Sequence, residues 1–150
     1  MPNIKGKSLK PSRNVPYAEG ILAYNDTIAE IPVNALVRIN TGTLQGGALR
    51  IVLANAANDE SGGKVPVFVT KHRIPIGSWG VILPWSIVSN INTSAVTAEG
   101  DAVYLQNAAA AGTFAHGKGT VHRAVGICIA KHATLGIVWL CPGQFSYGTD

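Results

Sequence analysis

Four histidines, His72, His116, His122 and His132, and two cysteines, Cys128 and Cys141, are the side chains of this chain best suited to hold a metal ion. Their spacing matches neither a zinc-finger set nor a His-Glu-x-x-His helix, no acid stands beside the histidines, and both cysteines lie in apolar runs. They read as strand-end and loop histidines, so no metal and no cofactor is expected, although a trimer could bring copies of one histidine together on its axis. His116-Gly117-Lys118-Gly119-Thr120 shares glycines and a lysine with a phosphate-binding loop but lacks the Gly-x4-Gly-Lys-Ser/Thr spacing and the following helix, and reads as a turn. Serines and aspartates occur without a Gly-x-Ser-x-Gly elbow, and Asp101 after Gly100 fits the turn that enters a strand. No hydrolase triad is supported, and the chain is not expected to be an enzyme.

The remaining chemistry is that of contact. Lys5, Lys7, Lys10 and Arg13 carry the whole net charge of +4, because residues 15 to 150 hold equal numbers of basic and acidic side chains. With Pro2, Pro11, Gly6, Ser8 and Ser12 and almost no apolar periodicity, residues 1–18 read as an extended, mobile arm in which Pro11 and Pro16 resist folding back. Such an arm can neutralise phosphates in a salt-dependent way, or lie along a polar partner protein and order on contact. Nucleic acid is the less favoured partner, because residues 1–14 contain no aromatic side chain on which a base could stack.

Trp79, Trp85 and Trp139 are the heaviest apolar anchors. Each is first read as core. Trp79 and Trp85, however, flank the unalternating run Gly80-Val81-Ile82-Leu83-Pro84, which is fully buried only if both faces are covered, and so form a candidate oligomer interface.

The elements that must position these groups are strands. Ile21 to Tyr24, Ala35 to Ile39, Ala48 to Leu53, Val65 to Val69, Trp79 to Trp85, Ala102 to Leu105, Ala124 to Ala130 and Gly136 to Leu140 are short, β-branched or aromatic, and bounded by Gly, Asn, Asp or Pro. Gly46-Gly47 reads as a hairpin return, with Arg50 facing away from Leu49, Ile51 and Leu53. Pro66 and Pro84 argue for edge strands or bulges. Residues 94–99 and 107–111 are the best helix candidates, and no repeat with a period of 20 to 50 residues is recognised. The expectation is all-β: a compact barrel or sandwich of roughly eight to ten short strands, with residues 19–150 as a single β-domain behind the arm.

A chain of 150 residues can bury a real core without staples, so the cysteines read as buried thiols, with a bridge between hairpin neighbours left open. No signal peptide is read at the start of the chain, and no apolar stretch approaches the roughly 20 residues of a membrane-spanning helix. Charged residues make up 13% and apolar ones 47%, a balance that suits a surface covered by partners more than a freely soluble monomer.

The order Gly62-Gly63-Lys64-Val65-Pro66-Val67-Phe68-Val69-Thr70, Ala98-Glu99-Gly100-Asp101-Ala102-Val103-Tyr104-Leu105, Ala124-Val125-Gly126-Ile127-Cys128 and Gly136-Ile137-Val138-Trp139-Leu140 resembles the signatures of the small capsid cement, or decoration, proteins of tailed bacteriophages. The similarity covers residues 35 to 142. Members are commonly shorter and more acidic; this chain adds its basic arm, two cysteines and a Ser146-Tyr147-Gly148 tail expected to lie beyond the last strand. The resemblance implies an all-β virion protein, made in the bacterial host cytoplasm, that binds the outer surface of the expanded icosahedral head. It implies homotrimers at threefold and quasi-threefold positions, the major capsid protein as partner, contacts with neighbouring trimers, and no small-molecule substrate. Lys5, Lys7, Lys10, Pro11, Arg13 and Pro16 are then the candidate capsid-binding residues. A single-stranded nucleic-acid-binding β-barrel and a virion fibre or receptor-associated β module are the alternatives.

Overall fold

The computed structural model describes residues 20–56, 65–107, 110–117, 121–144 and 147–149. The arm, with Lys5, Lys7, Lys10, Pro11, Arg13 and Pro16, lies outside the described residues. As expected, the fold is all-β. Strands β1 (Ile21–Asn25), β2 (Leu36–Gln45), β3 (Ala48–Leu53), β4 (Val67–Thr70) and β5 (Trp79–Leu83) close a barrel in the order β1-β3-β2-β4-β5, with β1 and β3 parallel. Strands β6 (Ser86–Ile91), β7 (Ala102–Leu105), β8 (Phe114–Ala115), β9 (Val121–Ala130) and β10 (Gly136–Leu140) form a second sheet in the order β6-β10-β9-β7-β8. A last strand, β11 (Tyr147–Thr149), pairs with the first half of β9, so the tail expected beyond the last strand is itself a strand.

Two apolar layers hold these sheets. Ala23, Val37, Ile51, Ile74 and Ile82 fill the barrel interior with Ile39, Leu53 and Phe68. Leu36, Val67 and Val69 point out of the barrel and are buried against Val88, Val103, Leu105, Val125, Val138 and Leu140 of the second sheet. Strands β2 and β4 are therefore covered on both faces, which is why their sequences do not alternate. Arg123, buried under the second sheet, donates from Nη1 to the Val65 carbonyl at 3.0 Å and ties β9 to the approach of β4.

Three expectations are corrected. Pro66 does not mark an edge strand: β4 runs between β2 and β5, and Pro66 stands just before its first residue, where its missing N–H costs the ladder nothing. The helix candidate at 94–99 is a run of turns and bends, and of the candidate at 107–111 the described residues 107, 110 and 111 hold only a short 3-10 element at Ala110 and a turn. Asp101 Oδ2 accepts from the Ala98 N–H at 2.8 Å and Asn92 Oδ1 from the Ser94 N–H at 2.9 Å, local side-chain bonds that compete with a helix in the 94–99 segment.

The third correction is an internal repeat. Ile31-Pro32-Val33-Asn34 before β2 and Ile74-Pro75-Ile76-Gly77 before β5 have the same backbone course, with Asn34 at φ 60° and Gly77 at φ 64°, and Ile31 and Ile74 form an antiparallel bridge. Each turn is held by a buried polar residue ending a strand of the other unit. Thr70 Oγ1 accepts from the Ala35 N–H and donates to the Pro32 carbonyl at 2.6 Å. Asn25 Nδ2 donates to the carbonyls of Ile74 and Pro75. Two copies of a strand–turn–strand unit thus interlock about a pseudo-two-fold, β1 pairing with β5 and β4 with β2.

Candidate interaction surface

Trp79 and Trp85 are not core. They are 46% and 54% exposed; Trp79 opens β5, whereas Trp85 lies beyond its end, after the bend at Pro84 and just before β6. The run between them alternates after all: Gly80 and Ile82 turn into the barrel, while Trp79, Val81 and Leu83 face outward and are only partly covered. Trp79 belongs to the barrel, and Trp85 stands at the entrance to the second sheet.

One surface is on the barrel. Tyr24 is the register partner of both Trp79 and Arg50, so the three form one row across β5, β1 and β3. The Tyr24 and Trp79 rings meet edge to face with centroids 5.1 Å apart, and the Arg50 guanidinium lies 6.0 Å from the Tyr24 ring centre. Arg50 pairs with Asp26, whose other carboxylate oxygen accepts from Asn40 Nδ2 at 2.6 Å. Those two hydrogen bonds, together with the charge of Arg50, hold the Asp26 carboxyl below its ordinary pKa against a smaller opposing effect of burial. Leu22, 55% exposed, extends the surface.

The second lies on the outer face of the six-stranded assembly. Ile87, Trp139, Ile127 and Ala102 are successive register partners across β6, β10, β9 and β7. Ile87 and Trp139 are 59% and 37% exposed; Ile129, displaced by a bulge in β9, is 49% exposed. Trp85, 54% exposed, stands one residue before β6 and two before Ile87. No charged side chain stands in this row. Sequence reasoning missed the surface because Ile127, Trp139 and Ile87 come from three strands whose pairing is unknown before folding. The available signal was the alternation of β10, in which Ile137 and Trp139 oppose Val138 and Leu140.

The remaining reactive groups stand apart. Among the described residues no group of three metal-ligating side chains comes together. The histidine side chains described are engaged in turns and rings. Nδ1 of His132 accepts from the N–H groups of Thr134 and Leu135, Nε2 of His72 accepts from the Val81 N–H, and His116 meets the Phe114 ring edge to face. Cys128 and Cys141 are free, buried thiols; burial raises the Cys141 pKa. A cleft of about 230 Å3 opens at the seam of the barrel and the second sheet, walled by Val33, Ala35, Leu53, Gly112 and Phe114, and has no charged side chain in its lining. What the arrangement offers chemically is apolar and aromatic contact. No family model, no curated protein and no solved structure matches the chain.

Proposed function

We propose that this chain is a capsid decoration protein of a tailed bacteriophage, which binds the outside of the expanded head as trimers at threefold and quasi-threefold positions and stabilises the shell. The observation that carries this reading is the pair of half-exposed aromatic surfaces, Trp79 with Tyr24 and Leu22, and Trp85 with Ile87 and Trp139, on an all-β body. A decoration trimer needs two contact surfaces at once, one for its own copies and one for the shell. The basic segment with Lys5, Lys7, Lys10, Pro11, Arg13 and Pro16 supplies a third contact that can reach across a seam between capsid subunits. Several modest patches on one trimer add to a tight hold, because each later contact forms at high effective concentration. Binding only the expanded shell stabilises that state by selection.

Co-sedimentation with undecorated heads, unexpanded and expanded, tests the reading. Saturable binding to expanded heads alone is expected, and deletion of residues 1–14 should weaken it at least ten-fold while the circular dichroism of the β-domain is unchanged. A folded protein that binds neither kind of head sinks the proposal.

The Trp79–Tyr24–Arg50 row favours one second reading, a platform for single-stranded nucleic acid, since an exposed indole beside an arginine is how bases are stacked without sequence preference. That reading requires oligonucleotide affinity that falls steeply with salt and is lost in Trp79→Ala.

A further inference from the structure

We infer that the open edge of β6 is a self-association site, at which two copies of this chain join their second sheets edge to edge about a two-fold axis. The second sheet has two ends. At one, β8 is only two residues long and offers little backbone. At the other, β6 spans Ser86–Ile91 and has β10 as its only strand partner among the described residues. Edge strands are ordinarily protected by lysine, by proline, by extreme shortness or by a bulge. Of these β6 has only the bulge, placed late. Ser89 pairs with Ile137 and Ile91 with Gly136, which leaves Asn90 as the extra residue, at φ 59°. Ser86 to Ser89 therefore remain a regular, uncharged edge of four residues, whose unused N–H and C=O groups are matched by another strand.

The flanking side chains suit the same occupant. Ile87 and Ser89 are exposed, beside Ile87 the outer face continues into Trp139, and the exposed Trp85 stands one residue before the strand. A two-fold contact must be self-complementary, so a surface with one sign of charge would repel its copy. This one carries no charge. Two half-exposed indoles and the neighbouring isoleucines leave on the order of 400 Å2 of apolar surface per copy, within the range of the largest patch on a typical monomer. With four strand residues added per copy the contact buries roughly 1,000–1,200 Å2 in all, at the low end for a specific interface. The association is accordingly weak, with a dissociation constant on the order of 0.1 mM. Across a head surface, where copies sit side by side, a contact of that strength closes readily. It stands, however, whether or not the chain decorates heads.

Sedimentation equilibrium of the full chain in free solution, from about 10 µM to about 1 mM, tests the inference. The mass of the species present at the dilute end should double, and Ile87→Lys and Ser89→Lys should each shift that step at least ten-fold to higher concentration. Both sites are exposed, so unchanged circular dichroism is expected to certify the fold of the variants. Constant mass throughout the range overturns the inference, as does a doubling that both lysine variants leave untouched. Hydrogen exchange at the dilute end gives a third check: β10 already protects alternate amides of residues 86–89, and protection there of the remaining, outward amides as well would mean that another part of the chain covers the edge, which also overturns it. Because no heads are present, this failure is distinct from a failure to bind heads.

Discussion

Asp26 and Asn25, adjacent at the end of β1, illustrate how single side chains shape this barrel. Asn25 is buried and saturated: its Nδ2 donates to the Ala29, Ile74 and Pro75 carbonyls, and its Oδ1 accepts from Thr27. Asp26, partly exposed, binds Arg50 of β3 and Asn40 of β2 and so clamps three strands on the outside of the barrel. Its folded pKa lies below the value it has in the unfolded chain, about 3.9 for an aspartate. The stability it contributes is therefore fully present above that unfolded value and is lost as pH falls through the folded one. Asp26→Asn should lower stability by a constant amount between pH 7 and about pH 5, and the gap to the parent should narrow once the pH falls below about 4. Urea unfolding at pH 7, 5 and 3 measures this; a gap as large at pH 3 as at pH 5 would show that the carboxylate charge is not the source. From the sequence Asn25-Asp26 was legible as a turn, since both residue types favour one. Their partners were not, because Asn40, Arg50 and Ile74 reach them only once the barrel closes.

At the scale of elements, the interlocked turns define the barrel. Both put a residue at positive φ, asparagine in one and glycine in the other, and both hand the chain into a strand that crosses to the opposite unit. Asn34→Gly should be nearly neutral, whereas Gly77→Ala should cost about 1 kcal/mol, since a Cβ in the left-handed region meets its own backbone. The comparison of both variants by chemical unfolding checks it, and equal effects would mean that the two turns are not equivalent. The repeat escaped sequence reading because only the Ile-Pro-x-(Asn/Gly) core is shared, while the strands around it differ according to what covers them. Strand β2 is buried on both faces and reads Leu36-Val37. Strand β5 is open on one and alternates Trp79-Gly80-Val81. A different constraint acts in β9, where a Cβ at Gly126 would run into the Trp139 carbonyl and come within 3.1 Å of the Leu140 Cα, so only glycine lets β10 approach.

The whole molecule is bound by the seam. Leu36, Val67 and Val69 belong to barrel strands, yet pack in the layer made with Val88, Val125, Val138 and Leu140, so the second sheet and the barrel share one apolar layer. Their unfolding should be one cooperative event. In a chain with Trp85→Phe and Trp139→Phe, Trp79 fluorescence reports the barrel, while the buried Cys128 and Cys141 report the second sheet through thiol reactivity. Both thiols should be inert in the native state, and the two probes should share one urea midpoint. Thiols that become reactive at lower urea than the fluorescence change would show the sheet opening on a barrel that stays folded. Leu140→Ala, which empties part of the seam, should cost about 2–5 kcal/mol and lower both midpoints together.

Local patterning by itself determined the class of this fold. Short β-branched runs punctuated by glycine, proline and asparagine cannot sustain helices, and the Gly46-Gly47 return, the outward Arg50 and the strand positions of β7, β9 and β10 follow from such local rules. Composition likewise located the positive charge in residues 1–14. Only the tertiary structure decided which strands have neighbours on both sides and which faces are covered, because pairing joins residues far apart in the chain and no local signal encodes it. That decision moved Pro66 from an edge to a closed barrel and brought Trp79 and Trp139 out of the expected core. It put Trp79 on the barrel and Trp85 just before β6, and among the described residues it gave β6 a strand partner on one side only, beside an apolar face assembled from β6, β9 and β10.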